Sequence, residues 1–210
     1  MKESKTNNVE QDIAHIRSIM ERSTKFLSLS GWAGIMAGVY ATLGVIHVHL
    51  ILGFSLNADE SITSAELLND PVLRDTTITA LLVLVLALFT AVFLSWKQSI
   101  KTGNAIWNTS AKRLVYSMTV PLLTGGIFIL ALLSNGMIAW IPVTMLLFYG
   151  LALYNASVYT IDEVKYLGFY QIILGLWCAF NTSLGLWFWL AGFGFGHIVY
   201  GTYMYIRYER

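Results

Sequence analysis

Six long apolar stretches, 26–54, 77–96, 115–133, 137–157, 161–180 and 184–206, run through this chain with no Asp, Glu, Lys or Arg at their centres. A bilayer core gives backbone N–H and C=O groups no solvent partner, so a chain crossing it as a helix needs about 20 mostly apolar residues per span. The pattern predicts an all-α polytopic membrane protein, a six-transmembrane-helix bundle over 26–206. A polar segment precedes it over 1–25 and a short tail follows over 207–210. Composition agrees: 12% of residues are charged, against about a quarter in soluble domains. The first stretch is much longer than a signal-peptide core of about 7–15 residues, so helix one is expected to remain in the mature protein. A single cysteine, Cys178, predicts no intrachain disulfide. A formal net charge of +1 gives no sign of a nucleic-acid partner.

Lys and Arg close to the ends of spans stay on the cytoplasmic side. Lys2, Lys5, Arg17, Arg22, Lys25, Lys97, Lys101, Lys112, Arg113, Lys165, Arg207 and Arg210 all fall on one side of a six-span arrangement. The other side has only Arg74, in a loop with Asp59, Glu60, Glu66, Asp70 and Asp75. Both termini are therefore expected in the cytoplasm, with the chain in a bacterial inner membrane. Trp32, Trp96 and Trp107 then mark the inner interface and Trp140, Trp187 and Trp189 the outer one.

Local signals place the boundaries. Asp70-Pro71 sets an N-cap residue before a proline at the first helical position. Thr160-Ile-Asp-Glu163 reads as a capping box at the start of helix five, and Thr63-Ser-Ala-Glu66 as a short extra helix. Turns are expected at Ser134-Asn135-Gly136 and Asn181-Thr182-Ser183. Pro121 predicts a kink in helix three. Ahead of the first span, Val9, Ile13, Ile16 and Met20 recur at steps of four, three and four, the apolar stripe of an amphipathic helix. That stripe, with Trp107, Lys112 and Arg113, is the expected cytoplasmic contact surface for the inner leaflet or a protein partner.

An ionisable group inside a membrane is a functional candidate by default. At about 1.5 Å per residue, His47 lies roughly 33 Å above Lys25, whereas His197 lies only about 15 Å from Arg207. That separation argues against one metal held by His47, His49 and His197, and no metal or other cofactor is expected. Gln171, Thr124 and Tyr149 share the depth of His197, and glycines on the faces of Gln171 and His197 turn both toward the bundle. His197, Gln171, Thr124 and Tyr149 are thus expected as a buried polar layer, holding the bundle together or binding a ligand. Gly34-x-x-x-Gly38 and Gly192-x-x-x-Gly196 match the small-residue packing motif, read either as intrachain packing or as a homo-oligomer face. The spans have no central carboxylate, which disfavours proton coupling and paired-acid hydrolysis, and no catalytic residue is assigned.

Four strings carry a resemblance: Phe26-Leu-Ser-Leu-Ser-Gly-Trp-Ala-Gly34, Trp107-Asn-Thr-Ser-Ala-Lys-Arg113, Pro121-Leu-Leu-Thr-Gly-Gly-Ile-Phe128 and Asn155-Ala-Ser-Val-Tyr-Thr-Ile-Asp-Glu-Val-Lys-Tyr-Leu-Gly168. Together the chain resembles an uncharacterised family of small six-span bacterial inner-membrane proteins whose members often carry the label beta-carotene monooxygenase. The resemblance implies six spans, and the label implies an oxygenase with histidine-held iron. The residues themselves favour a non-enzymatic membrane protein that binds a partner or a small apolar ligand. A metal-dependent oxygenase acting on an apolar substrate such as a carotenoid, and a small transporter, are the alternatives.

Overall fold

The computed structural model describes residues 25–26, 29–54, 69–103 and 107–210. The amphipathic stripe of Ile13, Ile16 and Met20 and the helix expected at 63–66 lie outside them. The described residues form helices and turns only. α1 is Gly31–Ile46, continued by wide π-type turns over His47–Ile51. α2 is Pro71–Thr102, α3 Thr109–Ser134, α4 Ile141–Ala156 and α5 Glu163–Ala179. The last helix is composite: α6, Gly185–Trp189, passes through π-type turns at Leu190–Gly196 into α7, His197–Met204, and ends at Tyr205–Glu209. Among the described residues, five helical stretches are long and apolar enough to cross a membrane: Gly31–Ile51, Pro71–Lys101, Thr109–Ser134, Ile138–Tyr159 and Thr182–Glu209. α5 has 17 residues, about 25 Å of rise.

Local chemistry explains the boundaries. The Asp70 carboxylate accepts from Val72 N at 2.7 Å and Leu73 N at 3.4 Å, capping α2 ahead of Pro71 as its sequence predicts. At the end of α3, Gly136 takes φ +70°, a backbone that L side chains rarely adopt. Its N–H then reaches Leu133 O and the Met137 N–H reaches Leu132 O, the pair of bonds that closes a helix C-terminus. The Asn108 side chain caps α3 at Ala111 N, 2.8 Å away. α3 continues as α-helix through a buried Pro121. The capping box expected at Thr160 does not form, and α5 begins at Glu163 without a side-chain cap. The Thr160 hydroxyl donates instead to Phe26 O at 2.6 Å, and Phe26 N donates to Tyr159 O at 2.7 Å. Tertiary pairing with the segment before α1 has taken the hydroxyl that a cap would need.

Packed helices follow the order α2, α1, α6–α7, α5, α4, α3, each antiparallel to the next, and the last helix also touches α4 directly. Gly44 lies against Val83 and Tyr40 against Thr90, which sets α2 beside α1. Gly150 meets Gly168 O and Ile172 across α4 and α5. Phe148 of α4 packs on Gly125 of α3. The first and last helices meet along glycines: a methyl group at Gly34 would touch Gly201, and one at Gly38 would lie 2.6 Å from Gly194 O. Gly192 and Gly196 are covered by Gln171 and Tyr170. All four glycines weighed as an oligomer face are therefore occupied by packing within the chain.

The same approach puts both described chain ends together. Glu209 accepts from the backbone N–H of Gly31 and, at 3.4 Å, from the Ser30 hydroxyl. A carboxylate at a helix N-terminus satisfies an orphan donor and complements the positive end of the helix dipole. Lys25 pairs with Asp162 and Arg207 with Glu163, each at 2.8 Å, while the Tyr208 hydroxyl donates to Glu163 Oε1.

Gly201 tests the importance of this seam. An added methyl would lie 2.6 Å from Gly31 O and 2.8 Å from Gly34 C, both backbone atoms that cannot rotate away. Gly201→Ala is expected to destabilise the protein by about 1–3 kcal/mol through overpacking. Gly126 has open space around it, so Gly126→Ala should be neutral or stabilising by up to about 1 kcal/mol from helix propensity. Thermal unfolding of the two variants in detergent checks the order; the reverse ranking contradicts this packing.

Candidate functional site

His197 opens α7 directly after the π-type segment and is 6% exposed. Its Nδ1 lies 3.1 Å from Gly192 O, and its Nε2 lies 2.8 Å from the Tyr149 hydroxyl. A carbonyl only accepts, so Nδ1 carries the proton and Nε2 accepts from Tyr149. Both ring nitrogens of a neutral imidazole are thereby used. Phe193 lies flat against His197 with ring centroids 5.8 Å apart, and it also meets Tyr149 at 5.0 Å and Trp189 at 4.9 Å. Trp189 is half-buried in this stack.

Gln171 of α5 lies on the other side of Gly192. It is fully buried, and neither its Nε2 nor its Oε1 has a hydrogen-bond partner among the described residues. Its Oε1 lies where a side chain at residue 192 would begin, and Leu146 Cδ2 would be 2.5 Å from the same position. Only glycine lets the last helix pass between them. A buried amide without partners costs about 1–3 kcal/mol for each group, so native structures seldom keep one without a reason. Gln171, Gly192, His197 and Tyr149 form one continuous polar seam inside apolar packing by Leu146, Val143 and Cys178.

Thr124 does not join it. Its side chain is exposed, and its hydroxyl donates to Val120 O at 2.8 Å within α3. Residue counting gives height along a helix but cannot set the face, and α3 touches the bundle chiefly through α4. Gly192 joins the seam through its backbone carbonyl, whereas its sequence context reads only as a packing motif.

The remaining candidates lie elsewhere. His49 packs edge-on against Trp187 at 5.2 Å, with Nδ1 3.4 Å from Phe54 O. Trp187 is ten residues before His197, about 15 Å along the helix. Among the described residues no three His, Cys, Asp or Glu side chains converge. The histidine-held iron implied by the oxygenase label does not fit these residues, because His197 already uses both nitrogens and the other described histidines belong to the far end of α1. Trp107, Lys112 and Arg113 are exposed near the start of α3. Comparison with protein-family models, curated proteins and solved structures finds no match to this chain.

Tyr149→Phe removes the donor to His197 Nε2 and leaves a buried acceptor unpaired, with an expected loss of about 1–3 kcal/mol. Thr124→Val, at an exposed hydroxyl, should change stability by no more than about 0.5 kcal/mol. Chemical or thermal unfolding of both variants checks the contrast, and equal effects would remove the polar seam from any account of stability.

Proposed function

We propose that this chain is a six-span integral membrane protein that acts by binding and not by catalysis, with the Gln171–Gly192–His197–Tyr149 seam as its ligand site. The five long apolar helices support the membrane reading. α5 serves as the sixth span: its 17 residues are short, but the turn over 157–162 and the three-residue helical turn Thr182–Leu184 extend the crossing at both ends. The charge asymmetry supports both termini on the cytoplasmic side. Reporter fusions after Arg210 and within 57–69 test that arrangement, with a cytoplasmic signal expected from the first and a periplasmic signal from the second.

One observation carries the ligand reading: a fully buried amide offers both a donor and an acceptor that no described residue matches. The wall facing it is the π-type segment Leu190–Gly196 with three buried glycines, and such wide turns are uncommon and concentrate at functional sites. A neutral guest with an apolar body and one hydroxyl or carbonyl matches this chemistry, since no charged side chain lines the seam. The groups that hold such a guest do not provide a nucleophile or a general base: Tyr149 donates to His197, and both imidazole nitrogens are used.

Gln171→Leu separates the possibilities. If the amide holds a guest, native mass spectrometry of wild-type protein purified in mild detergent should show a retained small molecule, and the variant should lose both it and about 1–3 kcal/mol of stability. A wild type that carries no small molecule, together with a variant more stable than wild type, would make the amide an unmatched core residue and end the ligand reading.

A further inference from the structure

We propose that the edge formed by the end of α2 and the start of α3 binds anionic lipid headgroups. The inference rests on the membrane reading above and is independent of the ligand seam. No Asp or Glu occurs between Asp75 and Asp162, yet Lys97, Lys101, Lys112 and Arg113 fall within that interval and all four are exposed. None of them has an ion-pair partner among the described residues, whereas Lys25, Arg74 and Arg207 are matched by Asp162, Asp75 and Glu163. Lys165 and Arg210 also have no ion-pair partner among the described residues, but only these four stand together in an interval free of acidic residues.

Geometry gathers them. Thr102 and Thr109, the adjoining ends of α2 and α3, are seven residues apart, a separation of at most about 25 Å. Lys97 and Lys101 stand one turn apart on one face of α2, a like-charge spacing that is unfavourable without an anion nearby. Trp96 and Trp107 flank the cations and are 51% and 62% exposed, as expected of aromatic side chains at a headgroup boundary. α2 and α3 present mostly exposed apolar faces leading to their adjoining ends. A phosphate on a lipid meets the cations while its acyl chains lie along those faces, which a free anion or a soluble acidic protein does not do. Each cation near a membrane surface is worth about a fivefold change in affinity for anionic lipid.

The test uses the full chain in nanodiscs of phosphatidylcholine containing a minority of phosphatidylglycerol, with retained lipids counted by native mass spectrometry after release. Wild type is expected to keep phosphatidylglycerol in excess of its share. That excess should shrink when salt lowers the Debye length from about 10 Å to about 3 Å. The quadruple variant K97Q/K101Q/K112Q/R113Q should lose it, while K25Q, whose partner is Asp162, should retain it. An excess unchanged in the quadruple variant, or insensitive to salt, overturns the proposal. Displacement of the lipid by millimolar inorganic phosphate would assign the edge to a small-anion site and equally overturn it. Failure of the chain to incorporate into nanodiscs would instead refute the membrane reading, and the lipid proposal with it.

Discussion

The close approach of the first and last helices is the contact on which the rest of the arrangement depends. Gly31, Gly34 and Gly38 of α1 face Gly194 and Gly201 of the last helix, so backbone meets backbone where side chains would hold the helices apart. In the bilayer proposed for this chain no hydrophobic force would bring helices together, and packing at short range would take its place. This contact joins the two ends of the sequence. It puts Glu209 at the N-terminus of α1 and Arg207 beside Glu163.

The interior polar seam follows from the same restriction on backbone distance. Gly192 lets Gln171 lie against the last helix, and its carbonyl fixes the proton of His197 on Nδ1. Tyr149 from α4 then completes the imidazole's bonding. Three helices meet in this layer, and its stability and its capacity to bind depend on the same few atoms. The unmatched amide of Gln171 is the one place where the layer is incomplete. At the periphery the logic is reversed: Lys25 and Arg207 are matched by nearby carboxylates, whereas the cations at the α2–α3 edge are exposed without counter-ions among the described residues.

Local motifs were legible in the sequence wherever their partners are close along the chain. The Asp70 cap needs only N–H groups two and three residues ahead, and the Gly136 turn needs only carbonyls of the preceding helical turn. Thr160 was misleading because its hydroxyl found Phe26 O, 134 positions away, in place of the N-terminus three residues on. Thr124 shows a related limit: residue counting gives height along a helix, but the face it presents depends on which neighbour that helix packs against.

By itself the sequence determined that the chain is helical with several long apolar stretches, that its basic residues cluster between those stretches, and that His197, Gln171 and Tyr149 lie close in height along their helices. These are properties of composition and of rise per residue. Tertiary structure decided the order α2, α1, α6–α7, α5, α4, α3, the consumption of the glycine motifs within the chain, and the exclusion of Thr124 from the polar layer. It also decided that Tyr149 reaches His197 while Gln171 has no hydrogen-bond partner among the described residues. A repeating apolar pattern specifies that a helix is buried in an apolar environment, but the spacing of backbones and the reach of a hydrogen bond exist only once particular helices have come together.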